Sequence, residues 1–235
     1  MSLAVQLDIE QLTALQQLSS PALPIGGFSY SQGLEAAVEL GLVKNEVDAL
    51  EWIADVLDAV MAPCEAPVWC LLFAAWEAAA MQELNYWNQW FRASRETREV
   101  RQETEQMGWS LYRLTRDLGW GSEASRQMLE SIRPITLPLV HAHLCSLWRL
   151  PVEAGLTAYL YTWIESQVAA AIKSVPLGQV AGQRILVRLR AQLPAIVTTA
   201  LSRSRAQPPE LATFAPHYAI VSSRHETQFS RLFRS

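Results

Sequence analysis

The sequence predicts an all-α protein: a single-domain bundle of roughly eight to ten helices, with an N-terminal extended segment at residues 1–30, a helical core at 31–205 and a tail at 206–235. Three observations carry this. Apolar residues recur at three- and four-residue spacing along most of the chain, as they do on helices with one buried face. No stretch alternates apolar and polar residues between turn dipeptides, as a half-buried strand would. Half of the 235 residues are apolar and 18% are charged, enough material for one large core. No fixed-period repeat points to a solenoid.

In chain order, MSLAVQLDIEQ lacks a basic region followed by a long apolar stretch, so no secretion leader is expected. From Ser19 to Gly41 runs SSPALPIGGFSYSQGLEAAVELG. Pro21, Pro24, Gly26 and Gly27 forbid a helix at its start, and Ser29 or Ser31 is placed to cap a helix beginning near Gln32 and stopping at Gly41. Asn45 followed by Asp48 opens the next helix, whose stripe is Leu50, Ile53, Leu57, Val60 and Met61 and whose expected end is Pro63. Val68 to Trp76, VWCLLFAAW, reads as a buried helix, far shorter than the ~20 residues of a membrane span.

Between Trp87 and Trp120 one long helix is expected, with Phe91, Met107, Leu111 and Leu114 as its apolar positions. Arg92 with Glu96, Arg95 with Glu99 and Arg101 with Glu105 stand four apart in the less favourable basic-first order, which reads as a solvated face. Pro134 and Pro138 bracket a break, and Pro138 is tolerated in the first turn of the helix LVHAHLCSLW. The clearest stripe is Leu156, Tyr159, Leu160, Trp163, Ile164, Val168, Ala171 and Ile172, which Pro176 stops. Ile185, Leu186, Leu189 and Leu193 mark a further helix, interrupted at Pro194, and near Gln207, Pro208 and Pro209 the periodicity fades into the tail.

A formal net charge of −4 and a pI near 5.6 give no basic field for a phosphate backbone, so nucleic acid is not an expected partner. The cations are 17 arginines against Lys44 and Lys173 alone, a usage that suits planar, bidentate contacts between proteins. Cys64, Cys70 and Cys145 form no C-x-x-C pair and leave an odd thiol, which points to a reducing cytoplasm, and with no apolar run long enough to span, no membrane partner is expected.

The glycine-rich loop lacks the G-x-x-x-x-G-K-[ST] pattern and a preceding strand, so it is not expected to hold a nucleotide. In it, Tyr30 reads as a packed ring with its hydroxyl at the surface and Glu35 as an ordinary first-turn carboxylate. His141, His143 and Cys145 spell H-x-H-x-C, but on a helix only His141 and Cys145 share a face, so these are expected to be structural and no metal site is assigned. Lys173 is a lone cation at a helix end among apolar neighbours, either snorkelling or meeting a partner. From Arg203 onward five arginines oppose Glu210 and Glu226, a local charge of +3. Phe229, Leu232 and Phe233 in that tail argue for docking against this chain or a partner, since each gains about 1.5–3 kcal/mol when buried. No catalytic set assembles: there is no G-x-S-x-G and no H-E-x-x-H. A cryptic helical enzyme and a generic helical adaptor stand as the rival classes, separable by turnover of a small substrate against co-purification with partners.

SPALPIGGFSYSQGLE at Ser20–Glu35, RETRE at Arg95–Glu99, the Met107–Gly108 pair, WIESQVAAAIKSVPLGQ at Trp163–Gln179 and the closing RHETQFSRLFRS resemble, in order, segments of the UreF family of urease accessory proteins. That resemblance implies a non-catalytic, all-helical homodimer that binds UreD (also called UreH) and recruits the GTPase UreG. The complex acts on urease apoprotein, whose dinuclear nickel centre needs a carbamylated lysine. Roles it implies are positioning UreG, GTP-dependent nickel release, fidelity of activation and lining part of a nickel route. Nickel is then the cargo of the complex, and the chain itself takes no cofactor. Tyr30 and Arg231 match positions linked to tail docking and UreG recruitment, and Glu35 and Lys173 match positions implicated in UreG contact. Arg224, His225 and Glu226 of the tail join them as partner-binding candidates. Arg95, Glu96, Arg98 and Glu99 are weaker ones. The family does not make His141, His143 and Cys145 a nickel site.

Overall fold

Where the apolar spacing is helical the chain is helical, and the computed structural model, which describes residues 5–235, holds no strand among them. The helices are α1 (Ile9–Leu18), α2 (Leu34–Glu39), α3 (Glu46–Val56), α4 (Ala66–Glu77), α5 (Met81–Ala93) and α6 (Arg98–Asp117). They are followed by α7 (Glu123–Ser131), α8 (Leu137–Leu147), α9 (Val152–Ser174), α10 (Gln179–Arg190), α11 (Leu193–Arg205) and α12 (Pro216–His225). A π-helical stretch, Leu57–Glu65, fuses α3 and α4 into one rod, Glu46–Glu77, so the described residues form eleven helices, slightly more than expected. The leader reading falls partly on residues 1–4, outside the described part.

Pro63 therefore does not end its helix. In the π stretch the main-chain N–H of Ala66 reaches back five residues to Met61, and this wider turn relieves the clash of a proline ring with the carbonyl four residues earlier. The Pro63 carbonyl is used in turn by the N–H of Ala212, at 3.1 Å. The fused rod is long and apolar enough to cross a membrane, but 67% of its most apolar window is buried in the protein, the mark of a core helix.

Other boundaries follow their caps. Asn45 accepts from the N–H groups of Val47 and Asp48, as its spacing predicts, and Asp8 with Gln11 makes a capping box that starts α1 inside the segment expected to be extended. The expected long helix at 87–120 is two helices, because Thr97 turns extended and caps α6 by accepting from Val100 N–H. The tail is also not extended throughout: α12 folds within it.

α4 lies at the centre, packed against α5, α8, α9 and α11, while α6 crosses α8 and α12 covers α2. Gly108 makes the α6–α8 crossing possible: a Cβ there would stand 2.4 Å from the carbonyl carbon of Thr136. The segment before α8 is held by polar groups of α5 and α6. Asn88, fully buried, donates to Pro134 O at 2.7 Å and accepts from the Thr136 hydroxyl at 2.7 Å, and Thr104 Oγ1 accepts from Leu137 N–H at 3.2 Å.

Gly108→Ala forces a side-chain methyl against the main chain of Thr136 and Leu137, so it is expected to lower the unfolding free energy by about 1–3 kcal/mol, the usual cost of overpacking. Urea unfolding of the variant checks this, and an unchanged midpoint and slope would count against the crossing.

Candidate functional site

The Gly-rich loop is a receptor for the tail. Gly26 at φ 81° leads into a 3-10 turn at Gly27–Ser29, and Gln32 and Gly33 then take left-handed conformations at φ 49° and 82°. This turns the N–H groups of Ser31 and Gln32 onto the main-chain oxygen of Ser235, at 2.7 and 3.1 Å, and the Ser31 hydroxyl donates to the same oxygen at 2.6 Å. Arg234 N–H donates to Ser29 O at 2.9 Å. Gly33 is needed twice, for its positive φ and because a Cβ would lie 3.1 Å from the Cα of Ser222 on α12.

Two carboxylates complete the clasp. Glu35, on the first turn of α2, is buried and accepts from Leu232 N–H at 2.7 Å, Phe233 N–H at 3.0 Å and His225 Nε2 at 3.2 Å. Glu99, on the first turn of α6, meets His225 Nδ1 at 2.6 Å and Arg231 Nη1 at 2.8 Å. His225, fully buried, bridges the two. Arg231 also donates to the carbonyls of Glu226 at 2.6 Å and Gln228 at 3.0 Å, which curls the tail around its guanidinium. The Glu226 carboxylate accepts from Arg98 N–H at 3.1 Å.

Beneath the tail the polar network runs inward. Glu103, one turn beyond Glu99, accepts from Gln32 Nε2 at 2.6 Å and from the Ser235 hydroxyl at 2.8 Å, and burial pushes its carboxyl up to about 7. Gln32 accepts in turn from the Trp163 indole at 2.6 Å. Deeper still, Arg95 pairs with Glu65 at 2.8 Å beneath Phe91, and the Tyr159 hydroxyl donates to the other oxygen of Glu65. None of the expected four-apart pairs forms on this face: Arg92 bonds Glu105, and Arg95 and Glu99 face inward or toward the tail.

The structure gathers most of the sequence candidates here. Glu35 is not the exposed first-turn acid that its position suggests, because the tail supplies donors to saturate it. Tyr30 is also buried rather than half out, with burial pushing its phenol up against the opposing pull of Arg234. Lys173 is exposed, its ammonium 5.6 Å from the centre of the Phe233 ring. Arg224 and Glu226 are exposed on the same tail. Of the three tail apolar residues only Phe233 buries, whereas Phe229 and Leu232 stand in solvent. Glu103, Gln32 and Ser31 were not singled out by the sequence as site residues. Glu99 and Glu103, like charges four apart on one helix face, are the signal from which Glu103 could have been found, and nothing comparable marks Gln32 or Ser31.

Glu35, Glu99 and His225 have ligand chemistry, but the carboxylates lie against opposite nitrogens of one ring and converge on no common point. Among the described residues no group of three or more His, Cys, Asp or Glu could hold a metal ion. His141 and Cys145 do share a face, Nδ1 to Sγ 3.5 Å, while the His143 ring lies against Trp76, with ring centres 4.4 Å apart.

The UreF family model matches residues 43–190. The chain is 66% identical to the urease accessory protein UreF of Bordetella parapertussis, over 93% of this chain and 99% of that one. It is 53% identical to the UreF of Cupriavidus metallidurans over 97% of this chain and 99% of the other. It is also 64% identical to the bifunctional urease accessory protein UreEF of Bordetella bronchiseptica over 100% of this chain, which spans 54% of that longer protein.

Two outcomes test the clasp. Glu35→Ala removes an acceptor whose bonds are each of the strength of about 1.5–3 kcal/mol expected for charged partners. It is expected to raise hydrogen exchange at the Leu232 and Phe233 amides at least about tenfold, with α8 and α9 unchanged. Unaltered exchange at those two amides would contradict it. The second concerns Glu103, whose folded value is raised from an ordinary 4.5 to about 7. Its contribution is therefore complete below 4.5 and is lost as pH rises through 7. Glu103→Gln imitates the protonated form, so its stability relative to wild type is expected to improve from pH 5 to pH 8 in urea melts. A difference that does not move with pH would refute this.

Proposed function

Because the chain belongs to the UreF family of urease accessory proteins, we propose that it works in urease maturation as a non-catalytic scaffold. In this reading it bridges UreD (UreH) and the GTPase UreG on the urease apoprotein and supports GTP-dependent nickel insertion in the cytoplasm, acting as a homodimer. Nickel is cargo of the assembly, and any influence on UreG turnover passes through contact, not through chemistry at this chain.

The observation that carries the proposal is the docked tail. A buried clasp of Glu35, Glu99 and His225 holds residues 225–235 in one conformation, while Phe229 and Leu232 and the cations Lys173, Arg224 and Arg234 remain at the surface. Ordering such a segment beforehand lowers the entropy cost of association. Apolar side chains ringed by cations favour a partner surface with an apolar pocket and carboxylates around it. In such a surface Lys173 supplies a charge directly, and Arg231 acts by fixing the curl of the tail.

Lys173→Ala and Arg231→Ala are expected to leave the fold intact and to weaken UreG recruitment to the assembled complex by at least about tenfold each, or ~1.4 kcal/mol. Co-purification of tagged UreG with UreD and apo-urease reads this out. Full recruitment by the double variant would remove both residues from the interface. Activation of urease in cells lacking the native gene, complemented by this chain and assayed for active-site nickel, tests the scaffold reading itself.

A further inference from the structure

We propose that the tail clasp is proton-gated: His225 holds the tail end only while its ring carries a proton on both nitrogens, and raising the pH releases it. The two nitrogens face carboxylates brought together from different helices, Nε2 to Glu35 of α2 at 3.2 Å and Nδ1 to Glu99 of α6 at 2.6 Å. Both carboxylates act as acceptors elsewhere as well. Glu35 takes the N–H groups of Leu232 and Phe233, and Glu99 takes Arg231 through its other oxygen. The ring nitrogens are therefore the donors, and a neutral imidazole has only one N–H. In that form it points a lone pair at one of the two carboxylates. Only the imidazolium donates along both lines.

Burial makes the difference matter. The ring is fully buried and the side chains of Glu35 and Glu99 are only 8% and 13% exposed, so water is poorly placed to stand in for a missing donor. With the ring charged, Glu35, Glu99, His225 and Arg231 balance electrically. With it neutral, one negative charge is left over in the cluster. The other charges around the ring pair elsewhere or stand in solvent. Arg224 and Glu226 of its own segment are exposed, and the Glu226 carboxylate accepts from Arg98 N–H. Glu103, one turn beyond Glu99 on α6, bonds Gln32 and Ser235, and Lys173 and Arg234 are exposed on the outer side of the tail.

Loss of the proton thus removes one of the two bonds that tie the end of α12 to α2 and α6, and sets a lone pair against a carboxylate in its place. The docked tail binds one more proton than the free tail with a neutral ring, so docking weakens as pH rises. The gate follows from the fold of this chain and does not depend on which protein the tail meets.

Magnetic resonance and hydrogen exchange on the full chain test this, in a titration carried upward from about pH 6 until the His225 ring has lost its proton. While the tail is docked, the nitrogen-15 shifts of that ring are expected to be those of an imidazolium. His141, which burial pushes down to about 3, serves as the neutral reference in the same spectrum. A neutral His225 ring with the tail still docked overturns the proposal. Protection of the Leu232 and Phe233 amides, corrected for base-catalysed exchange, is expected to fall at least about tenfold in step with the ring, while α9 amides hold. Protection that does not change as the ring titrates also overturns it. Because Glu103 bonds the tail too and its carboxyl stands at about 7, the same titration is run on Glu103→Gln. The fall is expected to persist there, and its disappearance would assign the effect to Glu103 instead.

Discussion

A carboxylate taken out of water must be saturated with donors, and in this protein the donors for Glu35 come from a segment nearly two hundred residues away. Leu232 and Phe233 offer their main-chain N–H groups and His225 its ring, and the acceptor is the same pair of oxygens. The bargain is mutual. The tail covers Glu35 and supplies its donors, and Glu35 in turn holds the last residues of the tail, where Phe233 is covered while Phe229 and Leu232 stand in solvent. The second carboxylate, Glu99, makes the same kind of arrangement with His225 and Arg231. The Gly-rich loop, the first turns of α2 and α6, and α12 are all positioned by these few polar contacts.

A tail fixed by polar contacts differs in its energetics from one fixed by apolar burial. The body of the protein is held chiefly by apolar burial around the fused α3–α4 rod, where Trp69, Leu72, Leu84 and Leu111 are fully buried. The end of the tail is held largely by hydrogen bonds, whose strength depends on geometry and on the exclusion of water. The scaffold role proposed above would use that division: an apolar body, and on it a tail end that presents Phe229, Leu232 and Lys173 at the surface.

The polar interior continues inward from the clasp without a sharp boundary. Glu103 bonds the tail on one side and lines a pocket beneath the Gly-rich loop on the other, and behind it the buried Arg95–Glu65 ion pair receives a further hydrogen bond from the Tyr159 hydroxyl. A purely apolar filling would be at least as stable. What the polar filling provides is a single permitted arrangement of α4, α5, α6 and α9, because every misalignment leaves a buried donor or acceptor unmet.

Much of this was legible in the residues. Apolar spacing fixed the helical class, Asn45 and Gly41 marked a start and a stop, and Pro138 fell in a first turn, where its missing N–H is tolerated; Pro194, which reads as an interruption of one helix, instead stands in the first turn of the next. The segments that resemble UreF proteins single out Tyr30, Glu35, Lys173 and Arg231 as partner-binding candidates, and these lie in or beside the tail clasp. The rest depended on distance in space. Pro63 reads as a stop because a local rule cannot see the wider helical register that accommodates it. Glu35 and Arg95 read as surface charges because their partners, Leu232 and Glu65, lie far along the chain; the Thr97 cap on Val100 N–H is local, but it lies inside a run that reads as one helix. Sequence determined which segments could be helices and which residues carried chemistry, since those follow from side-chain type and near-neighbour spacing. Only the tertiary structure decided which charges were buried and what paired with them, because burial is set by the elements that happen to fold over a residue.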